Sequence, residues 1–107
     1  MLRILIPLIT VIHGLIHLMG FLKAFQLAEI EQLNLPISKV SGIFWLVACL
    51  LMQATAGGYL LKIDGWWILG MIALVISQVL IFLYWPDAKF GTIANIIIGI
   101  AIWMNFR

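Results

Sequence analysis

Two histidines, His13 and His17, lie one helical turn apart in the middle of the first apolar stretch of the sequence. An imidazole inside a membrane is costly unless it meets a partner, a cavity or a ligand. At this spacing both rings lie on one helix face, where they could bind a zinc or copper ion, ligate a haem or donate to a neutral ligand. The pair is therefore the first place to look for a functional site.

Four further polar side chains interrupt the later apolar stretches: Cys49, Gln53, Gln78 and Asn95. If successive helices alternate in direction, a rise of about 1.5 Å per residue brings three of them to the depth of His17, and Gln53 to that of His13. Cys49 and Gln53 repeat the spacing of the histidines, so facing helices would match His17 with Cys49 and His13 with Gln53. We therefore expect all six side chains to form one layer that faces the protein interior.

This polar layer has interpretations that the sequence leaves open. Hydrogen bonds between histidine and amide side chains commonly hold membrane helices together, so the layer can be purely structural. It also has the composition of a ligand site, and the third interpretation is that one or more of these residues face another protein. If a ligand binds, His17 has the most polar neighbours and is the histidine that we expect to matter more.

The candidate ligands differ in how well the residues suit them. For a metal ion, the two histidines and Cys49 supply the donors, because no apolar stretch contains a carboxylate. For a haem, two histidines on one helix cannot supply both axial ligands, so each subunit of a dimer would give one, or a weak second ligand would serve. A quinone carbonyl could accept a hydrogen bond from His17 or Gln78.

The elements that carry these residues follow from composition. Of the 107 residues, 65% are hydrophobic and 9% charged, against about 25% charged in ordinary soluble domains, which excludes a water-soluble globule. Four apolar stretches cover residues 4–22, 43–61, 65–85 and 90–106, and each is about long enough to cross a bilayer core. The short connections at 62–65 and 86–89 predict an all-α fold, a single membrane-spanning domain over 1–107 that forms a four-helix up-down-up-down bundle.

The flanking residues support these limits. All five tryptophans fall within a few residues of a predicted helix end, where amphipathic rings prefer to lie. The first stretch is similar to a secretory signal peptide, but no small-residue cleavage site follows it, so we expect it to be retained. The lone Cys49 allows no disulfide within the chain. No basic patch indicates nucleic acid, so the partner that the sequence indicates is the lipid bilayer.

The connection over residues 23–41 is the largest segment outside the apolar stretches. Good helix formers continue to Asn34, and Pro36 follows, so we expect the first helix to extend or to bend along the membrane surface. Its polar face would be either solvated or a docking surface, and it holds Gln26, Glu29, Glu31 and Gln32. In the connection at 86–89, Asp87 is expected to cap the fourth helix. The alternative is that Asp87 forms a polar lip with Lys89 and Thr92.

The basic residues give no preferred orientation. One side of the predicted bundle carries Arg3, Lys62 and Arg107, and the other carries Lys23, Lys39 and Lys89. The positive-inside rule therefore has no bias on which to act. Such a balance is typical of a dual-topology protein that forms a homo-oligomer, and also of a protein held in place within a larger membrane complex.

Three segments carry a resemblance to known sequences: HGLIHLMGFLKAF at 13–25, ISKVSGIFWL at 37–46 and WPDAKFGTIAN at 85–95. They resemble small uncharacterised bacterial four-helix membrane proteins, which implies an inner-membrane location and no particular activity. Arg3 and the HG pair at 13–14 are also similar to the first helix of the DoxX-like group, with His17 in place of its lysine. The small multidrug transporters are similar in length and helix number, but they depend on a glutamate where this chain has His13.

These observations predict a small multipass protein of the bacterial inner membrane, an accessory or ligand-binding protein with a polar layer centred on His17. A dual-topology transporter or channel is the alternative from a different class. A second alternative is a redox membrane subunit that uses a quinone or a haem. The residues show no catalytic constellation, so a non-enzymatic role is the expectation.

Overall fold

The computed structural model describes residues 2–30 and 33–105, and every regular element in these two ranges is a helix. The elements are α1 (Leu2–Ala24), α2 (Lys39–Leu60), α3 (Trp66–Leu83), α4 (Trp85–Ala88) and α5 (Gly91–Asn105). The prediction of an all-α chain is therefore confirmed. The ends of the four long helices lie close to those of the predicted apolar stretches, apart from the short α4, which the sequence did not indicate.

Three of these helices are long and apolar enough to cross a membrane: the apolar part of α1 covers 22 residues, α2 has 22 and α3 has 18. The fourth long helix, α5, is apolar but has 15 residues. Large apolar side chains are exposed along all four of them, as expected where the surroundings are hydrocarbon and not water. These properties indicate an integral membrane protein.

The long helices pack side by side into an elongated molecule of 39 by 21 by 21 Å. Helix α1 packs against α2 and α5, and α3 packs against the same two helices. Two glycines allow α1 to approach α2 closely. A methyl group on Gly14 would overlap the side chain of Gln53, and one on Gly20 would overlap the ring of Trp45.

The segment after α1 differs from the prediction. Helix α1 ends at Ala24, and Gln26 has a φ of 57°, in the left-handed region that a continuing helix cannot use. The described residues between 25 and 38 form turns, bends and irregular chain, so the predicted extension of the helix to Asn34 is wrong. Glu31 and Gln32, part of its expected polar face, lie outside the described residues.

The shorter connections are explained by local chemistry. The Ser38 hydroxyl caps α2 by accepting from the backbone N–H of Ser41 at 3.1 Å. Between α2 and α3 the chain turns through left-handed conformations at Lys62 and Gly65. Pro86 lies in the first turn of α4, where the missing N–H of proline costs little.

Candidate functional site

The two histidines lie on the inner face of α1. His13 is 3% exposed and His17 is 1% exposed, so their expected burial is confirmed. The rings meet edge to face with centroids 4.6 Å apart. Their position on α1 follows from the spacing of four residues, which places both side chains above one another on one helix face.

Both histidines bond to polar side chains of α3 and α5. His17 Nε2 lies 2.8 Å from the Ser77 hydroxyl, and His13 Nε2 lies 2.8 Å from Asn95 Oδ1. Asn95 Nδ2 lies 2.9 Å from Ser77 Oγ and 3.0 Å from Gln78 Oε1. We call this set of His13, His17, Ser77, Gln78 and Asn95 the polar network. It ties α1 to both α3 and α5 across the interior.

The direction of each hydrogen bond in the network follows from the bond between His17 and the backbone of α1. His17 Nδ1 lies 2.8 Å from the backbone carbonyl of His13, which can only accept, so Nδ1 carries the proton of the neutral ring. Nε2 of His17 is then an acceptor, and the Ser77 hydroxyl donates to it. Ser77 Oγ in turn accepts from Asn95 Nδ2, the closer of the two amide atoms at 2.9 Å against 3.1 Å for Oδ1.

This assignment leaves one nitrogen of the pair without a bond. Asn95 Oδ1 accepts from His13, so His13 carries its proton on Nε2 and its Nδ1 has a free lone pair. No side chain or backbone group in the described ranges bonds to that Nδ1. By contrast, both nitrogens of His17 are bonded within the protein. The geometry therefore favours His13, and not His17, as the histidine that could contact a ligand.

Trp45 of α2 covers the other side of His17. The two ring centroids are 5.2 Å apart, and Trp45 also contacts Tyr84 with a centroid distance of 5.8 Å. Trp45 is 3% exposed, and its indole N–H has no acceptor among the described residues. Trp45, six residues after the start of α2, is thus a buried part of the site.

A cavity of about 270 Å³ adjoins the two histidines. Its size is just below the range of about 300–1,000 Å³ that is typical of small-molecule sites. The polar side chains in its wall are His13, His17, Trp45 and Asp87; the rest is formed mainly by Ile16, Met19, Leu33, Ile81, Phe90 and Ala94. Two larger depressions, of about 680 and 660 Å³, lie at the helix connections and do not reach the polar network.

Residues 33–35 pass over one edge of this cavity and are held from two directions; we call them the strap. Lys23 donates to the carbonyl oxygens of Leu33 and Leu35, at 2.5 and 2.6 Å. Asp87 accepts from the backbone N–H of Asn34 at 2.9 Å and of Leu35 at 2.7 Å. Asp87 therefore ties down the strap and does not cap α5, since its oxygens are bonded to this distant segment.

The sequence offered a polar lip of Asp87, Lys89 and Thr92 as the alternative, and the structure places only Asp87 of these three in the cavity wall. Lys89 is exposed, with its ammonium 5.4 Å from the centroid of the Phe90 ring. Thr92 accepts a hydrogen bond from Gln78 at 3.1 Å, which adds it to the edge of the polar network.

Two of the six expected layer residues lie elsewhere. Gln53 donates to the backbone carbonyl of Val11 at 3.1 Å, so it does not pair with His13. Cys49 is buried, and its backbone lies beside Gly14 of α1. The expected matches of His17 with Cys49 and of His13 with Gln53 are wrong, because α2 meets a neighbouring face of α1 and the histidines face α3 and α5.

Ser77 is the network residue that the sequence analysis missed. It precedes Gln78 in α3 and is fully buried. A serine is common in apolar helices and can bond to its own backbone, so residue type alone gave little signal. Ser77 directly precedes Gln78, so the two lie at nearly the same depth, and that depth could have identified it.

The arrangement offers little to a metal ion. Nowhere in ranges 2–30 and 33–105 do three or more histidine, cysteine, aspartate or glutamate side chains group together to hold one. His13 Nδ1 is the one imidazole nitrogen of the pair that is free to ligate. The site is better suited to hydrogen bonding within an apolar cavity.

Comparison of the chain with protein-family models, with curated proteins and with solved structures gave no match. The fold and the site define the class of protein: a helical integral membrane protein with a buried polar network beside an apolar cavity.

Proposed function

We propose that this chain is a small multipass protein of the bacterial inner membrane that binds an apolar molecule with a polar head beside His13. The proposed architecture is a four-helix up-down-up-down bundle. The connection of three residues between the C-cap Leu61 and the N-cap Gly65 supports antiparallel neighbours. Helices α4 and α5 follow one another from Trp85 to Asn105, which gives the fourth crossing the length that α5 alone lacks.

The observation that carries this proposal is the pairing of a largely apolar cavity with one free imidazole nitrogen. Helix association alone accounts for the polar network, since the hydrogen bonds between its side chains join α1, α3 and α5 to one another. It does not account for a cavity of about 270 Å³ next to that network. Membrane helices without a ligand have no need to leave such a space, because packing contacts are what hold them together.

A cavity-filling substitution tests this proposal. In the variant Ala94→Leu the larger side chain occupies space in the cavity wall. In the control variant Ala54→Leu, the same change is made at an exposed position of α2. We expect mass spectrometry of the purified protein to detect one apolar molecule in near-stoichiometric amount with the wild type and with Ala54→Leu, and at least about tenfold less with Ala94→Leu.

Two results would contradict the proposal. One is a wild-type protein that carries only bulk lipid in the proportions of the surrounding membrane. The other is an identical set of bound molecules in all three proteins, which would make the polar network a purely structural feature.

A dual-topology transporter is the second candidate, and the even charge distribution favours it. Three basic residues lie on each side of the proposed bundle, so two copies could insert in opposite orientations and pair. In this candidate the cavity beside His13 is a substrate site, and the functional unit is a homo-oligomer.

A further inference from the structure

We infer that the ligand of the cavity presents a hydroxyl group to His13 Nδ1, so it is an uncharged alcohol or phenol with an apolar body. This inference rests on the proposed function. It goes further because it specifies the chemistry of the ligand head: a hydrogen-bond donor, and not a carbonyl, an ether or an ionic group.

The first step is the free lone pair. The carbonyl of His13 fixes the proton of His17 on Nδ1, and the bonds through Ser77 and Asn95 then fix the proton of His13 on Nε2. The remaining nitrogen, His13 Nδ1, can only accept in this state. A ligand that satisfies it must bring an N–H or an O–H.

The second step is the unpaired donor in the same wall. The indole N–H of Trp45 is buried without an acceptor among the described residues. Leaving such a group unpaired costs stability. Trp45 lines the cavity, and a hydroxyl group both donates and accepts, so such a head can donate to His13 Nδ1 whether or not its oxygen also accepts from this indole. A quinone carbonyl could serve Trp45 but has nothing to donate to His13.

The third step concerns charge. Asp87 is the charged side chain in the cavity wall, and it is committed to the strap together with Lys23. Lys23 donates to two carbonyl oxygens, while both oxygens of Asp87 accept hydrogen bonds, one of them from the Asn34 side chain at 3.3 Å. An ionic head would have to enter a largely apolar wall whose one charged side chain, Asp87, already accepts hydrogen bonds on both oxygens, which is strongly unfavourable.

A pair of matched probes tests this inference: 4-butylphenol and its methyl ether. In the ether a methyl group replaces the hydroxyl proton, so it has no O–H to donate. Binding to the full chain in lipid nanodiscs is followed by equilibrium dialysis and by ¹⁵N NMR of labelled histidines. We expect saturable binding of both probes, with the phenol about three- to tenfold tighter, the effect of one net hydrogen bond. The phenol should shift the ¹⁵N resonance of His13 Nδ1 and leave Nδ1 of His17 unchanged.

The variant His13→Gln is the matched control. Glutamine can place an amide N–H where His13 Nε2–H meets Asn95, but it has no acceptor at the position of Nδ1. We expect this variant to bind the two probes with equal affinity. The apo wild-type spectrum provides a check that does not depend on any variant: Nδ1 of His13 should be unprotonated and Nδ1 of His17 protonated.

The outcomes separate the two proposals. Equal affinity of the wild type for both probes, or a protonated Nδ1 on His13, would overturn the hydroxyl inference and leave the ligand cavity standing. If neither probe binds saturably, the proposed function itself fails.

Discussion

At the scale of single residues, Asn95 connects a histidine of α1 to two polar side chains of α3. Its carbonyl oxygen accepts from His13, and its amide nitrogen donates to Ser77 and to Gln78. One carboxamide thereby bonds to three side chains, and each donor and acceptor has the complementary partner. A side chain of similar size without this amide would leave several buried polar groups unpaired.

The variant Asn95→Leu should therefore lower the stability of the protein. We expect its free energy of unfolding in detergent to fall by about 1–3 kcal/mol, since the His13 N–H and the Gln78 carbonyl lose their partner. Asn105→Leu is the control, because Asn105 lies exposed near the end of α5 and bonds only to the Ala101 carbonyl. Thermal unfolding followed by circular dichroism measures the difference. Equal stability of the two variants would contradict the role given to Asn95.

Among the elements, the strap depends most on side chains that are distant in sequence. It is 10 to 12 residues from Lys23 and 52 to 53 residues from Asp87, and neither a helix nor a strand holds it in place. Charged side chains bond to its backbone from two directions. Such bonds are stronger than those between neutral groups, and they fix a segment that lacks regular structure.

Removing the Asp87 carboxylate should loosen the strap without disturbing the helices. In Asp87→Ala we expect the backbone amides of Asn34 and Leu35 to exchange with deuterium about tenfold faster, because both lose a charged acceptor. Asp64→Ala is the control, since Asp64 is an exposed aspartate in the connection between α2 and α3. Hydrogen–deuterium exchange with peptide-level mass spectrometry covers both segments. Unchanged exchange at residues 34 and 35 would show that Asp87 is not what holds the strap.

At the scale of the whole molecule, the basic residues are divided evenly between the two sides of the proposed bundle, three on each. We expect reporter fusions at the C-terminus either to report both orientations or to change orientation when a single lysine is added to one side. Fusions with two lysines added to the 62–65 connection, or instead to the 86–89 connection, make the comparison. One strong orientation that survives both additions would refute the balance and, with it, the dual-topology candidate.

Much of the fold could be predicted from the sequence alone. The positions of the long helices follow from apolar stretches bounded by charged residues, proline and glycine, because a helix in hydrocarbon must satisfy its own backbone bonds. The burial of His13 and His17 follows because an imidazole that faces hydrocarbon has no hydrogen-bond partner. Each of these is a local property, since it depends on the composition of one segment and on its surroundings.

The partners of the histidines were decided by the tertiary structure. Depth along a helix can be read from residue number, but the rotation of each helix and the identity of its neighbours cannot. Helix α1 places its histidines toward α3 and α5, so Ser77 and Asn95 bond to them while Gln53 of α2 bonds to the backbone of α1. The same packing buries Trp45, a contact with the interior that its residue type alone does not indicate.

The end of α1 and the role of Asp87 were also decided by the tertiary structure and not by local sequence. The residues after Ala24 favour a helix locally, yet Lys23 and Asp87 bond to the backbone of residues 33–35, which are not helical. The sequence by itself determined which segments are apolar helices and that the two histidines must be buried, because hydrophobicity and desolvation act within a segment. Only the tertiary structure decided which polar groups meet and which nitrogen stays free, because those contacts depend on how separate helices are rotated against one another.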